Sequence, residues 1–121
     1  MRVCLIQTDP QVKQKNLSVL AQVIQNTLAD LYVLPELFTI GYFPLAAQWP
    51  IGAEPFPKGP TCEQVSRMLD KRSSAVICGI LEQDHSCYYN LAAVISNQKP
   101  ERYRPEVSSD GCRLERSRLV S

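Results

Sequence analysis

The first 34 residues of the chain carry a strand, helix and strand pattern that leaves few folds open to it. Residues 2–7 and 31–34 are short apolar runs typical of buried strands. Between them the apolar side chains recur at helical spacing. They are Leu17, Leu20, Ala21, Ile24 and Leu28. Asn16 precedes this stripe and is the expected N-cap. The pattern predicts a right-handed βαβ unit, with a parallel strand pair covered by a helix.

Glu36 follows the second of these strands and is the main candidate for a functional residue. Pro35 ends the hydrogen-bonding ladder directly before it. Ligands of open α/β sheets gather at the carboxyl ends of the strands, which is where this carboxylate is expected. A buried carboxylate is costly unless it is paired or functional. We therefore expect Glu36 to belong to a site.

The middle of the chain predicts a long loop, a second helix and a strand pair. Residues 41–60 hold five of the nine prolines and are expected to form an ordered loop, either a surface loop pinned by its aromatic side chains or a wall of a substrate pocket. Thr61 and Gln64 have the spacing of a capping box. Residues 75–81 and 88–96 are strand-like, and the polar residues 82–86 between them predict a turn joining antiparallel neighbours. The predicted fold is α/β, in the order β-α-β-loop-α-β-β.

The chain becomes highly charged after Ser96. Residues 97–121 contain ten charged side chains and no sustained apolar period. Such a composition is typical of a solvated segment. We expect residues 1–96 to form the folded part, a partial domain, and residues 97–121 to be a poorly ordered tail.

Composition argues against several classes of partner and site. Thirteen Lys and Arg balance twelve Asp and Glu, so neither nucleic acid nor a membrane surface is an expected partner. No apolar run approaches the ~20 residues of a membrane span and no signal peptide is recognisable, which favours a cytoplasmic protein. The five cysteines are widely spaced and lack a Cys-x-x-Cys pair, which argues against a disulfide framework or zinc site. Cys4 and Cys78 are expected in the core, and His85 on the surface.

Several segments together resemble the N-terminal part of the nitrilase, or carbon-nitrogen hydrolase, superfamily. They are residues 2–8, the Leu-Pro-Glu-Leu-Phe block at 34–38 with Gly-Tyr at 41–42, Gly-Pro-Thr at 59–61, residues 76–82, Tyr-Asn at 89–90 and Glu-Arg-Tyr-Arg at 101–104. The resemblance implies the N-terminal half of an αββα sandwich. It also implies hydrolysis of small amides, nitriles or carbamoyl compounds by a Glu, Lys and Cys triad, without metal or cofactor. Glu36 matches the family's general base, which accepts the thiol proton of the nucleophile.

The sequence departs from the family pattern after Arg104. Pro105 stands where the family has its catalytic Lys, and proline cannot supply a charge to the tetrahedral intermediate. Cys112 lacks the strand and flanking residues expected of the nucleophile. Since triad members act as a unit, the chain, which matches only the Glu of the triad, is expected to be inactive alone. The abrupt loss of pattern at Pro105 favours a truncated chain, by frameshift, alternative exon or gene-end artefact, over gradual divergence.

Two other functions are compatible with the pattern. Half a sandwich leaves apolar sheet uncovered, so the chain could be a non-catalytic interaction partner, forming homo-oligomers or hetero-oligomers with full-length relatives. A flavodoxin-like binding domain shares the βαβ start. Residues 8–11 (Thr-Asp-Pro-Gln) stand where that fold would need a glycine-rich phosphate loop, which disfavours it.

Overall fold

The computed structural model describes residues 1–8, 13–39, 49–104 and 118–120. The elements are β1 (Val3–Leu5), α1 (Lys13–Asn26), β2 (Leu31–Val33), α2 (Trp49–Gly52), α3 (Pro60–Met68), β3 (Ala75–Asp84), β4 (Cys87–Ile95), β5 (Glu101–Arg104) and β6 (Arg118–Val120). None of the helices in these ranges has the length and apolar character needed to cross a membrane.

The strands form one mixed sheet in the order β1-β2-β3-β4-β5-β6. β1 pairs with β2, and β2 with β3, in parallel, so the predicted strand, helix and strand unit is confirmed. β3, β4, β5 and β6 continue the sheet as antiparallel neighbours. The expected α/β class is therefore confirmed.

Helices α1 and α3 supply side chains to the core on one face of the sheet, here called the covered face. Leu20 of α1 and Val65 of α3 are fully buried there. Strand residues alternate between faces, and the register aligns Cys4, Tyr32 and Val76 across the parallel strands. The core also includes Leu17, Ile24, Cys62, Cys78, Ile80, Leu91, Ala93 and Ile95.

The opposite face of the sheet, here called the open face, keeps apolar side chains in contact with solvent. Its residues include Val3, Leu5, Ile77, Ala92 and Tyr103. Leu5 is 78% exposed, Val3 46% and Tyr103 45%. Ala92 is exposed and Ile77 is half-buried. Only one face of this sheet is thus packed by the helices described.

Both helix caps predicted from the sequence are wrong. Helix α1 begins at residue 13, so Asn16 lies within it, where it is 1% exposed. Gly59 occupies the N-cap of α3 and makes no side-chain cap bond. Thr61 instead lies inside the first turn of α3. Its backbone N–H and its hydroxyl both donate to the buried carboxylate of Glu54, at 2.8 Å each.

The turn predicted at residues 82–86 is shorter than expected. β3 continues to Asp84 and β4 begins at Cys87, leaving His85 and Ser86 between them. The sequence suggested a turn because Glu82, Gln83 and Asp84 are polar. Glu82 is nevertheless 1% exposed, because two arginines of β5 pair with its carboxylate.

Residues 101–104 were expected to be part of a poorly ordered tail, and for these four residues that expectation is wrong. They form β5, which pairs with β4 from Ala92 to Val94. Their charge misled the prediction, since Arg102 and Arg104 are neutralised on the covered face. Residues 118–120 of the same predicted tail form β6, and residues 49–52 of the loop predicted at 41–60 form the short helix α2. Residues 105–117 and residues 41–48 of that loop lie outside the described part of the chain.

Candidate functional site

Glu36 lies in a turn that begins where β2 ends. Leu34 still donates its N–H to the Ile77 carbonyl of β3, at 2.9 Å. Pro35 has no N–H to continue this ladder, and the chain turns away over residues 36–39. Glu36 is exposed at the carboxyl end of β2, the position that the sequence predicted.

The turn that carries Glu36 is attached to β3 on both sides of that residue. The Gly79 N–H donates to the Pro35 carbonyl, at 3.3 Å, and the Phe38 N–H donates to the Gly79 carbonyl, at 3.2 Å. From α1, the Asn16 side-chain amide donates to the Phe38 carbonyl, at 2.8 Å. Phe38 itself is buried in the core, 2% exposed. The Glu36 backbone is thus fixed by β3, α1 and the core together.

Gly79 allows this close approach because it has no side chain. A Cβ added there would lie 2.4 Å from the Leu37 nitrogen and 2.6 Å from the Glu36 Cα, both rigid backbone atoms. Leu37 has a φ of 51°, in the left-handed region that non-glycine residues seldom adopt. Such backbone strain persists only where surrounding contacts impose it, and it is concentrated at functional sites.

The Glu36 side chain meets β4 through Asn90. The Asn90 Nδ2 donates to the Glu36 Oε1. Asn90 is paired with Leu81 of β3, two residues beyond Gly79. Both side chains line a cavity of about 330 Å³ whose other walls are largely apolar. Its lining includes Leu34, Ile77, Ala92 and Tyr103. One carboxylate and one amide in a concave apolar setting can orient a small polar ligand.

A group of ionic side chains lies on the covered face and fixes β5 to β3. Arg102 and Arg104 both pair with the Glu82 carboxylate, and Arg104 also reaches Asp84, at 2.8 Å. The hydrogen bond from Arg104, followed by that from His85, holds the pKa of Asp84 below its usual range. The Arg104 guanidinium also lies 4.2 Å from the centre of the Tyr89 ring. These contacts fix the backbone of β5 directly before residue 105.

The described cysteines do not suit a nucleophilic role. A nucleophilic thiol needs a lowered pKa, whereas burial raises the pKa of both Cys62 and Cys78. Cys78 is 1% exposed and Cys4 packs against the core, as expected from the sequence. Cys87 is disulfide-bonded, which the cysteine spacing did not predict.

The other sequence candidates do not join Glu36. His85 is 95% exposed in the turn between β3 and β4, and its Nδ1 contacts only the Asp84 carboxylate among the bonds described for it. Pro105 and Cys112 lie outside the described residues. Within the described ranges, no group of three or more His, Cys, Asp and Glu side chains could hold a metal ion.

Asn90 is the site residue that sequence reasoning left without a role. It stands in an otherwise apolar strand, which was a usable signal because a polar side chain mid-strand needs a partner. Its contact with Glu36 joins residues 54 positions apart in sequence. Only the register between β3 and β4 brings them together.

Comparison with protein-family models gives one match for the chain. The model described as carbon-nitrogen hydrolase matches residues 2–105. No curated protein sequence matches significantly.

Solved structures give matches of the same kind. A CN-hydrolase superfamily protein from Xanthomonas campestris, which carries an arsenic adduct in its active site, aligns with a TM-score of 0.77 and 17% identity over 98% of this chain and 46% of its own. A carbon-nitrogen hydrolase from Helicobacter pylori aligns with a TM-score of 0.73 and 19% identity, over 91% of this chain and 41% of its own. An N-terminal amidase bound to an Asn-Glu-Ala peptide aligns with a TM-score of 0.72 and 25% identity, over 91% of this chain and 29% of its own. The chain therefore spans less than half the length of these proteins.

Proposed function

Because the chain belongs to the carbon-nitrogen hydrolase family, we propose that it serves the hydrolysis of non-peptide carbon-nitrogen bonds, with Glu36 as the general base. The substrates expected of such a site are small amides, nitriles or carbamoyl compounds. The 121 residues carry the Glu-bearing part of the site and do not complete it by themselves.

The observation that carries this proposal is the position of the Glu36 carboxylate. It stands at the carboxyl end of a parallel strand, in a turn fixed to β3, and borders an apolar cavity. Ligands of α/β sheets bind at this end of the strands. A carboxylate with a fixed backbone and a solvent-accessible side chain can accept a proton from a group entering the cavity.

In the proposed reaction Glu36 takes the proton of a cysteine thiol, and the resulting thiolate attacks the carbonyl or nitrile carbon. A lysine ammonium then stabilises the negative charge of the tetrahedral intermediate. The resemblance places that lysine at position 105, which is proline here. Cys62 and Cys78 are buried and burial raises the pKa of both thiols, so neither suits the role of this nucleophile. Among the described residues, Glu36 therefore has no suitable thiol to deprotonate.

Ammonia release tests this proposal. The chain and its Glu36→Gln variant would be incubated with short aliphatic amides, nitriles and carbamoyl amines at high protein concentration. Glu63→Gln is the matched control, because Glu63 is an exposed carboxylate on α3, outside the cavity. We expect all three proteins to release ammonia at the same background rate. Hydrolysis that is lost only in Glu36→Gln would confirm Glu36 as a base and contradict the inactivity of these residues alone.

A second function, that of an interaction partner for full-length relatives, is favoured by the open face. Leu5, Val3 and Tyr103 expose apolar surface on one side of a continuous sheet. A large exposed apolar patch is typical of a protein interface. Light scattering, alone and mixed with a full-length family member, discriminates between the two functions. A chain that stays monomeric both alone and in the presence of the full-length protein would contradict the interaction role.

A further inference from the structure

The Glu36 side chain would be free to rotate if nothing outside its own turn held it. Its backbone is fixed by Gly79 and Phe38, yet the residue is exposed and has three rotatable side-chain bonds. Staggered rotamers of an exposed glutamate differ little in energy, so a fixed backbone does not by itself aim the carboxylate. Aiming requires a contact at the carboxylate itself.

We propose that Asn90 is a positioning residue for Glu36, whose amide binds one carboxylate oxygen and leaves the other to accept the proton. Asn90 Nδ2 donates to Glu36 Oε1, and no bond to Glu36 Oε2 is seen from the described side chains. This inference rests on the proposed role of Glu36 as a base, but it concerns a different residue and has its own test.

Asn90 is suited to this role by its place in the sheet. β3 and β4 share the longest ladder of the sheet, with nine paired positions from Val76 to Asp84, so the Asn90 backbone is firmly held. Gly79, which fixes the Glu36 turn, pairs with Ala92 on the same ladder. The turn that carries Glu36 and the donor Asn90 are therefore both attached to the same strand pair, β3 and β4. A donor built on β4 keeps its distance to the turn when the rest of the sheet fluctuates.

The chemistry of the amide also suits the role. An asparagine amide is neutral, so it supplies a donor without neutralising the carboxylate as Lys or Arg would. Aspartate at the same position would have the same size, but it would offer no donor when ionised and would repel Glu36. The Asn90→Asp variant thus removes the proposed function with almost no change in shape.

Proton–proton couplings of the Glu36 side chain measured by NMR test the proposal. In the wild-type chain we expect one χ1 rotamer to dominate. In Asn90→Ala and Asn90→Asp we expect the χ1 population to spread over more than one of the staggered rotamers that the backbone allows. Asn97→Asp is the matched control, since Asn97 is exposed in the turn after β4, and it should leave the Glu36 couplings unchanged. A distribution of χ1 rotamers that is the same in the wild type and in the Asn90 variants would overturn the proposal.

A second signature comes from the Asn90 side-chain amide in a protein that keeps Asn90. The hydrogen-bonded proton should resonate further downfield of its geminal partner than in a solvated amide, and in Glu36→Ala that separation should shrink to the value of a solvated amide. The Asn16 amide is an internal control, because its bond to the Phe38 carbonyl does not involve the Glu36 side chain. An Asn90 resonance unaffected by Glu36→Ala would contradict the proposal even if the Asn90 variants fail to fold. Neither readout needs turnover, so a failure of hydrolysis and a failure of positioning are told apart.

Discussion

Glu36 shows how a single residue position depends on contacts made by others. The sequence placed it correctly at the end of β2, because a Pro-Glu pair after an apolar strand has few other interpretations. It could not show that Gly79, Asn16 and Asn90 all hold this turn or its carboxylate, since these contacts come from residues far apart in the chain. Local pattern thus located Glu36 at the end of β2, and tertiary packing supplied its setting.

Gly79→Ala is expected to destabilise the chain and displace the Glu36 turn. The added methyl group would overlap the Leu37 nitrogen and the Glu36 Cα, and backbone cannot move aside as a side-chain end can. Overpacking of this kind costs about 1–3 kcal/mol. Urea unfolding measures it, with Ala92→Ser as the control, because Ala92 is the exposed cross-strand partner of Gly79. Equal stability of Gly79→Ala and the wild type would show that the turn does not sit on β3.

Asp84 gives a pH dependence of known sign. Arg104 and then His85 lower its pKa in the folded chain, so the folded value lies below the unfolded one, ordinarily ~3.9. Its stabilising contribution is therefore present above pH ~4 and is lost as the pH falls through the lowered value. Because the Asp84 side chain is 40% exposed, we expect its contribution to the free energy of unfolding to be less than about 1 kcal/mol. The difference in unfolding free energy between the wild type and Asp84→Asn should shrink from pH 5 to pH 2, by roughly this amount. A difference that stays constant would contradict the pairing.

At the scale of elements, the sequence predicted which segments are helices and strands better than how they begin and end. Leu17, Leu20 and Ile24 of the predicted stripe are buried as expected. Ala21 is half-buried, and Leu28, which lies beyond the end of α1, is 74% exposed. The contacts at the start of α3 were missed because Glu54, which accepts the hydrogen bonds of Thr61, lies seven residues before it rather than within the local capping pattern. β5 was missed because its charges are neutralised only by Glu82 and Asp84, in another strand.

Glu54→Gln is expected to destabilise the start of α3. Glu54 is 4% exposed, and its two oxygens accept the Thr61 N–H and hydroxyl. A glutamine offers one acceptor oxygen and an amide that must donate to the Thr61 hydroxyl instead, so two charge-assisted bonds become neutral ones, at a cost of about 1–3 kcal/mol. Chemical denaturation measures this loss. Glu63→Gln makes the same change at an exposed position of the same helix and should stay within about 0.5 kcal/mol of the wild type. Equal stability of the two variants would contradict the role of Glu54.

For the whole molecule, the α/β class and the order of β1, α1, β2, α3, β3 and β4 followed from hydrophobic periodicity and turn residues, whereas α2, β5 and β6 were not predicted. The position of β5 in the sheet and the two unlike faces did not follow from these patterns, because they depend on how distant segments pack. The covered face holds the core and its ion pairs, while the open face presents apolar side chains and the Glu36 cavity. The Glu36 cavity and the exposed apolar side chains thus lie on one side of the sheet.

Amide hydrogen exchange tests most directly whether Glu36 occupies a site built on β3. The Phe38 and Gly79 amides donate across the junction between the turn and β3, as the Leu34 amide does in the adjoining ladder. If the turn is held as described, Phe38 and Gly79 should exchange at rates within about tenfold of Leu34. If their amides exchange as fast as those of an unfolded chain while Leu34 stays protected, Glu36 is not held on β3 and the proposed site does not exist.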